Sequence, residues 1–199
     1  MIKNLNIYVF DMGNVITKPS HLNKMYIESE MKCDYPYFKN LFYKSQKADE
    51  VYKGLISDNE FFDHIRKCCN SSKSVSDLMK IYNSNKGGIY LDTVNTIKEL
   101  KEEGNDIYLL SNLKQIDYDY LKDNIDLKQF NKLFLSYRLG MSKPNEDIYN
   151  FVIKELGTNK FHFFDDSTEN VIAAEKLGIN VHLTTGEDIA KCIKLIKRK

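Results

Sequence analysis

The stretch that decides the fold is Ile7-Tyr8-Val9-Phe10-Asp11-Met12-Gly13-Asn14-Val15-Ile16, near the start of this 199-residue chain. Four apolar residues lead directly into Asp11, which is the pattern of a buried strand that ends on an acid. Open α/β sheets place their reactive groups at the carboxyl ends of the strands. Asp11 is therefore a candidate nucleophile or metal ligand, although an aspartate here is also an ordinary strand terminator.

Three later apolar runs are also followed by polar residues. In chain order these are Ser111-Asn112 after residues 107–110, Lys143-Pro144 a loop after residues 133–135, and Asp165-Asp166 after residues 161–164. Each motif alone is more often a turn, a helix cap or a solvated loop. The ordered set, with each member close to a strand end, predicts one site at the carboxyl edge of a parallel sheet.

From residue 86 onward strand and helix signals alternate, which predicts a parallel sheet with right-handed crossovers and helices on both faces. The predicted helices are 92–103, capped by Asp92 and followed by Gly104; one opened by Pro144 and ended by Gly157; and one capped by Ser167 and ended by Gly178. The basic tail 191–199 is interpreted as an amphipathic terminal helix, with a membrane anchor as the less favoured reading.

Residues 17–85 lack this alternation and carry mostly helical signals. Ser57-Asp58-Asn59-Glu60 has the form of a capping box, and residues 70–74 form a polar loop between two helices. The sequence therefore predicts an α/β protein with a Rossmann-like parallel sheet sandwiched by helices. Its core comprises residues 1–16 and 86–199, and a small helical cap, residues 17–85, is inserted after the first strand.

The bulk composition fits a packed globular protein, with 42% hydrophobic and 12% aromatic residues. The net charge of +1 gives no field that attracts nucleic acid or an anionic membrane, so we expect neither as a partner. The four cysteines, Cys33, Cys68, Cys69 and Cys192, suggest neither a zinc site nor a disulfide framework. No signal peptide is recognised before the first strand and no apolar run reaches membrane-spanning length, so the cytoplasm is the predicted location.

The four motifs together resemble the haloacid dehalogenase-like (HAD) hydrolase superfamily, most closely its small sugar-phosphatase-like branch, which is α-glucose-1-phosphate phosphatase-like. The matching segments are Phe10-Asp11-Met12-Gly13-Asn14-Val15-Ile16, Leu110-Ser111-Asn112, Leu139-Gly140-Met141-Ser142-Lys143-Pro144 and Phe163-Phe164-Asp165-Asp166. The resemblance covers nearly the whole core and extends more weakly to residues 54–58 and Phe61 of the helical segment.

The resemblance implies a phosphohydrolase in which Asp11 attacks phosphorus and forms an aspartyl-phosphate. It also implies Mg²⁺ held by Asp11, the Gly13 carbonyl and Asp166. Asp165 would lie behind these ligands, and Asn170 would orient Asp166.

The same resemblance implies which groups hold the phosphoryl oxygens. These are the Ser111 hydroxyl, the Asn112 backbone N–H and the Lys143 ammonium, which would also pair with Asp11. The expected substrate is a small phosphorylated metabolite, with sugar phosphates as one candidate class. The sequence does not indicate an oligomeric state.

Gly13 departs from the family pattern, because the family's phosphatases usually carry a second aspartate there as general acid and base. One alternative is therefore a binding or regulatory protein of the same fold with weak or no turnover. A dehalogenase is a further alternative, disfavoured because carbon–halogen displacement does not need Asp165 and Asp166 as metal ligands. His21 is the one histidine near the first motif and is a candidate replacement acid, although a surface position is favoured. The same holds for Lys18 and for three tyrosines, Tyr26, Tyr35 and Tyr37.

Overall fold

The computed structural model describes residues 5–20 and 24–198, apart from the side chains of residues 25, 26 and 30. Five parallel strands form its sheet: β1 Ile7–Phe10, β2 Asp106–Ser111, β3 Lys132–Leu135, β4 His162–Asp165 and β5 Asn180–Leu183. Their order across the sheet is β3-β2-β1-β4-β5, so β1 lies between β2 and β4. The predicted parallel α/β sheet is confirmed. The edge strand β5 was not identified in the sequence.

Helices cover both faces of this sheet. They are α1 Lys24–Glu30, α2 Tyr35–Tyr43, α3 Gln46–Tyr52, α4 Asp58–Cys68, α5 Val75–Ser84, α6 Leu91–Glu102, α7 Gln115–Asn124, α8 Ser136–Leu139, α9 Glu146–Leu156, α10 Thr168–Lys176 and α11 Ile189–Ile196, with a 3-10 helix at Leu127–Gln129. Successive residues of β1 point to opposite faces. Tyr8 and Phe10 pack with α6 and α11, whereas Val9 packs with α9 and α10. Both faces of the central strand are therefore buried.

The five helices from α1 to α5 pack around an apolar cluster of their own. Phe42, Phe61 and Ile65 are among its fully buried members, and Ile116 of α7 also belongs to it. The predicted capping box is present at the start of α4, where Ser57 and Glu60 exchange hydrogen bonds. The helical character of this segment follows the sequence expectation. The division into residues 1–16 with 86–199 and residues 17–85 stays a prediction.

Two segments that are hydrogen-bonded to each other, residues 16–18 and 88–90, connect the sheet to these helices. Lys18 donates a backbone hydrogen bond to Gly88 O at 2.9 Å, and Tyr90 donates one to Ile16 O at 2.9 Å. A Cβ atom at Gly87 would lie 2.1 Å from Pro19 O, so only glycine permits this approach. Because the first segment begins a few residues after Asp11, the helices are attached beside the carboxyl end of β1.

Several helix ends agree with the sequence, and two helix starts do not. Gly157 has φ 69° at the end of α9, and the Ser167 side chain accepts from Asn170 N at the start of α10. However, α6 begins at Leu91 with Tyr90 as its N-cap, so Asp92 lies within the first turn. Tyr90 is fixed there by its backbone hydrogen bond to Ile16 O.

The second difference concerns Pro144, which does not open α9. Pro144 follows a cis peptide bond, and a turn closed by the Asn145 N–H and Ser142 O precedes the helix. The helix therefore begins at Glu146, two residues after the predicted start.

The cysteine expectation was wrong in one respect, because Cys33 and Cys69 form a disulfide within the helical segment. Both are buried in its apolar cluster, which brings together residues 36 positions apart. The two cysteines come together only through the packing of the helices, so their spacing in the sequence does not indicate the disulfide. Cys68, beside Cys69, is a free thiol whose sulfur lies 3.6 Å from His64 Nε2. Within the described ranges, no helix is long and apolar enough to cross a membrane.

Candidate active site

Asp11, Ser111 and Lys143 meet at the carboxyl edge of the sheet. Asp11 follows β1 and Ser111 ends the neighbouring β2, while Lys143 reaches them from the loop after α8. Asp11 Oδ1 accepts hydrogen bonds from Ser111 Oγ at 2.6 Å and from Lys143 Nζ at 2.8 Å. All three residues are buried. The structure therefore brings together residues that are 100 and 132 positions apart, and fixes one oxygen of the predicted nucleophile.

Lys143 is the central cation of this site. Its ammonium group donates to Asp11, to Asp165 Oδ2 and to Leu110 O, so its three N–H groups all have acceptors. Burial alone would lower the pKa of Lys143, but the charges of Asp11 and Asp165 outweigh it and raise that pKa. Lys143 therefore stays charged, and binding a phosphoryl oxygen would require one of these contacts to be exchanged.

Asn112 holds the backbone of Lys143 in place. Its Nδ2 donates to Lys143 O at 2.8 Å, and its Oδ1 accepts from Lys143 N at 2.9 Å. The side chain of Asn112 is thereby committed to positioning the lysine. The predicted phosphate contact uses the backbone N–H of Asn112, a different group.

Asp165 is fully buried, and its oxygens are already engaged. Oδ1 accepts from the Ser167 N–H at 2.9 Å and from Asn170 Nδ2 at 3.0 Å, while Oδ2 accepts from Asn170 Nδ2 at 3.1 Å and from Lys143. This corrects the predicted role of Asn170, which contacts Asp165 and not Asp166. The reason is that Asn170, in the first turn of α10, faces the buried Asp165 at the end of β4.

Asp166 lies at the exposed side of the site, and its partner is Asn14. Asn14 Nδ2 donates to Asp166 Oδ2 at 3.0 Å, and the Tyr90 hydroxyl donates to Asn14 Oδ1 at 3.2 Å. Neither Asn14 nor Tyr90 was identified in the sequence as a site residue. One signal was present, because Asn14 directly follows the first motif and asparagine is among the residues that tolerate its φ of 55°.

The acids fit a divalent cation. One carboxylate oxygen each from Asp11, Asp165 and Asp166 lies within 4.8 Å of the others. Burial, and secondarily the charge of Asp165, raises the pKa of Asp11 to about 6 against the opposing effect of Lys143. Three carboxylates beside one ammonium group leave an excess of negative charge, and carboxylate oxygens are the ligands that Mg²⁺ prefers. Because the oxygens of Asp165 are already hydrogen-bonded, Asp11 and Asp166 have the freer acceptor positions.

A cavity of about 220 Å³ opens onto this site. It is lined by Asp11, Gly13, Ser111, Asn112, Lys143 and Asn170 from the sheet edge, and by Tyr43, Tyr52 and Tyr82 from the helical segment. Of the side chains considered from the sequence, Lys18 lines the cavity, whereas Tyr35 and Tyr37 do not. His21 and the Tyr26 side chain lie outside the described residues. The sequence did not single out the tyrosines that do line it, which are Tyr120 and the three from the helical segment, since nothing in their spacing relates them to Asp11.

Gly13 leaves open the space that a side chain would occupy. A Cβ atom built there would have Asp11 Oδ2 as its nearest neighbour, at an ordinary contact distance of 3.7 Å. A Cβ atom at this position therefore meets no close contact. The role of the Gly13 carbonyl as a metal ligand stays a prediction.

Comparison with known proteins assigns the family. Residues 5–178 match the haloacid dehalogenase-like hydrolase family, and the chain belongs to that family. The resemblance drawn from the four motifs is thereby confirmed.

Three similar proteins bear on activity. A sesquiterpene phosphatase from Aspergillus oryzae is 34% identical over 103 residues, which are 50% of this chain and 52% of that protein. The chain thus spans about half the length of that relative. A D-ribitol-5-phosphate phosphatase from Bacteroides thetaiotaomicron is 24% identical over 194 residues, 89% of each chain. A solved HAD family enzyme from Bacteroides thetaiotaomicron, in complex with magnesium and inorganic phosphate, has a TM-score of 0.79 at 26% identity and covers 95% of this chain and 99% of its own.

Proposed function

We propose that the protein is a Mg²⁺-dependent phosphohydrolase that acts on a small phosphorylated metabolite through an aspartyl-phosphate on Asp11. The observation that carries this proposal is the position of Asp11. Its Oδ1 is held by Ser111 and Lys143, while Oδ2 borders the open space at Gly13 inside the cavity. A carboxylate fixed through one oxygen, with the other facing a cavity, is suited to nucleophilic attack.

The other side chains have consistent roles in this chemistry. The Ser111 hydroxyl and the Asn112 backbone N–H would bind phosphoryl oxygens, and Lys143 would contribute positive charge beside them. Asp11, Asp166 and the Gly13 carbonyl would hold the metal, with Asp165 and Asn170 behind them. When bound, Mg²⁺ would neutralise the phosphoryl group and so reduce its repulsion of the attacking carboxylate.

Asp165 acts on this site through Lys143. It is one of the two acids that keep the ammonium charged, and it anchors that group beside Asp11. Asn170 and the Ser167 N–H hold Asp165 in turn. A chain of contacts therefore runs from the start of α10 through Lys143 to the nucleophile, and Ser167, Asn170 and Asp165 act in it without needing to touch the substrate.

The helical segment would act as a cap that encloses the leaving group. Tyr43, Tyr52 and Tyr82 line the same cavity as Asp11, which supports this role for residues 17–85. At about 220 Å³ the cavity is smaller than the roughly 300–1,000 Å³ typical of ligand pockets, which favours a compact substrate. A sugar or sugar-alcohol phosphate fits this size, and the similar D-ribitol-5-phosphate phosphatase supports that class. A cytoplasmic location is part of the proposal.

A binding or regulatory protein with weak turnover remains the second candidate, and its one support is Gly13. A screen of sugar phosphates, nucleotides and acyl phosphates, with and without Mg²⁺, separates the two. We expect Mg²⁺-dependent release of phosphate from at least one ester, lost in Asp11→Asn. Turnover that is equal in both proteins, or absent against every ester for a folded protein that binds Mg²⁺, would reject the phosphatase.

A further inference from the structure

The cavity that contains Asp11 is also bordered by a charged cluster for which the chemistry above has no role. The cluster consists of Lys86, Lys114 and Asp117. Lys86 lies in the segment that returns from α5, and the other two lie at the start of α7. Asp117 lies between the lysines, with Oδ1 3.2 Å from Lys86 Nζ and Oδ2 3.1 Å from Lys114 Nζ. The exposed fraction of each side chain is below 10%.

The carboxylate of this cluster is fully engaged. Besides the two ammonium groups, Oδ1 accepts from the Tyr82 hydroxyl at 2.6 Å and Oδ2 accepts from the Lys114 backbone N–H at 3.2 Å. A carboxylate offers about four acceptor positions, so Asp117 has none left for a ligand. Burial alone would raise the pKa of Asp117, but Lys114 and Lys86 outweigh it and lower that pKa to about 2.

The ammonium group of Lys86, by contrast, has one N–H group without a hydrogen-bond acceptor among the described residues. It donates to Ile116 O at 2.9 Å and pairs with Asp117, so one of its three N–H groups has no acceptor within the described ranges. Two rings flank it, with centroids 5.0 Å away for Tyr82 and 4.7 Å for Tyr120. The Tyr120 hydroxyl likewise has no hydrogen-bond partner among residues 5–20 and 24–198. Lys86, Asp117, Tyr82 and Tyr120 all line the cavity.

We infer that Lys86 and Tyr120 form a subsite for a hydroxyl group of the leaving group, so that among alkyl phosphates the preferred substrates are esters of short hydroxylated carbon chains. This inference rests on the proposed phosphatase function. A hydroxyl oxygen accepts from Lys86, and the C–H groups of the same chain pack against the flanking rings. A hydrocarbon leaving group would bury this N–H group of Lys86 and offer it no hydrogen-bond acceptor. Burial of an unsatisfied donor costs free energy, so such a substrate would bind less well.

Two substitutions test the subsite, and a third serves as the control for the lysine. Lys86→Met removes the ammonium group and keeps most of the side-chain volume, and Tyr120→Phe removes one hydroxyl. Lys80→Met is the control, because Lys80 is a solvent-exposed lysine of α5 that pairs with Asp77. Activity is measured with a pentitol phosphate and with phenyl phosphate, which carries no hydroxyl group on its leaving group. Thermal melting shows that each variant is folded.

We expect Lys86→Met to lower kcat/KM for the pentitol phosphate by about 10- to 100-fold, as for the loss of a hydrogen bond to a charged group. For phenyl phosphate the change should stay within about twofold. Tyr120→Phe should show the same selectivity with a smaller loss, and Lys80→Met should show none. Equal losses on both esters, or no loss on the pentitol phosphate, would overturn the inference. So would a wild-type preference for a prenyl phosphate over the pentitol phosphate.

A binding measurement separates this inference from the proposed function. Calorimetric titration of pentitol phosphate into Mg²⁺-loaded Asp11→Asn protein reports the subsite without turnover. We expect binding to weaken when Lys86→Met is added to that background. If wild-type protein hydrolyses no ester but the binding difference persists, the phosphatase is rejected and the subsite stands. If pentitol phosphate does not bind, or binds equally to both proteins, the subsite is rejected.

Discussion

Asn14 Nδ2 lies 3.0 Å from Asp166 Oδ2, and this hydrogen bond joins the nucleophile motif on β1 to the predicted metal ligand after β4. The Tyr90 hydroxyl fixes the same amide at 3.2 Å, and Gly186 N donates to Asn14 O at 2.9 Å. Asp166 is otherwise exposed, so Asn14 and Tyr90 restrict a carboxylate that would be free to rotate. They hold one oxygen, and the other is the one that we propose as a metal ligand.

The first prediction concerns this pair of positioning residues. Tyr90→Phe and Asn14→Gly should weaken Mg²⁺ binding by about 10-fold, near the lower end of the effect of losing such partners. Glycine at position 14 keeps the left-handed backbone that φ 55° requires, so the loss reports the amide group and not strain. Calorimetric Mg²⁺ titration is the measurement, with Tyr108→Phe as the control on β2. Unchanged Mg²⁺ affinity in both variants would show that Asp166 needs no such support.

The second prediction concerns the nucleophile. Asp11→Asn should abolish turnover and leave the fold intact, because it keeps the shape of the side chain while removing the charge that attacks phosphorus. Ser111 and Lys143 can still donate to the amide oxygen, so only a modest change in melting temperature is expected. The measurement is the steady-state rate of phosphate release, made on protein in which the new asparagine has not deamidated to aspartate. Activity near that of the wild type would refute the assignment of Asp11.

The third prediction separates the two acids after β4. Asp166→Ala should remove most Mg²⁺ binding with little effect on folding, because Asp166 is exposed. Asp165→Ala should instead destabilise the protein by about 3 kcal/mol or more, since it removes a buried partner of Lys143. Calorimetric titration and denaturant unfolding are measured on both variants. Equal loss of Mg²⁺ affinity in two equally stable proteins would contradict the different roles given to these acids.

The parallel sheet was predictable because burial on both faces produces short, continuous apolar runs that end on polar residues. β1 has this form and precedes Asp11, and the apolar run Phe163-Phe164 of β4 leads into Asp165. The edge strand β5 was missed because Asn180 and His182 interrupt its apolar pattern and it is only partly buried. A strand covered on fewer sides carries a weaker sequence signal.

The clustering of the predicted site residues was expected for a related reason, since these residues follow strand ends in chain order. Their contacts were not. Asn170 was expected from the resemblance to orient Asp166, yet its side chain contacts Asp165. Tyr90, Lys86 and Tyr120 come from different parts of the chain, and no local pattern links them. Such contacts depend on how separate helices and strands pack, so the spacing of the residues in the sequence does not predict them.

The fourth prediction concerns pH, through His162 and His182 on neighbouring strands. His162 Nδ1 lies 3.0 Å from His182 Nε2, and burial lowers the pKa of His162. The unfolded chain, with a histidine pKa of about 6.5, therefore binds a proton more readily than the folded protein. The contribution of His162 to stability should be complete above about pH 6.5 and should be lost as the pH falls through its lower folded value.

Denaturant unfolding between pH 8 and pH 5 is the measurement for this pair. His162→Phe should flatten the pH dependence, because phenylalanine can keep the ring contact with Tyr8 but cannot be protonated. His64→Gln, which removes a histidine from the helical segment, serves as the control. An unchanged slope in His162→Phe would assign the pH dependence to other groups.

The last prediction concerns leaving groups and follows from Gly13. Without an acid at that position, the departing oxygen must carry its own charge or take a proton from water or from the substrate. Expulsion of an alkoxide is then difficult, whereas an aryl phosphate, an acyl phosphate or a sugar 1-phosphate has a better leaving group. Catalytic efficiency should therefore fall steeply as the leaving-group pKa rises. The missing acid accounts for up to about 10⁴-fold in rate, so the contrast between aryl and alkyl esters should be visible in steady-state assays.

Gly13→Asp is the comparison that the structure permits, because the nearest atom to the new Cβ is Asp11 Oδ2 at 3.7 Å. This variant should show a shallower dependence on leaving-group pKa, with its largest gain on alkyl esters. Single-turnover rates establish that chemistry, and not product release, is being compared. If both proteins show the same shallow dependence, another residue protonates the leaving group. His21 would then be the first candidate to replace, followed by Lys86, since burial lowers the pKa of Lys86 and its ammonium group borders the same cavity.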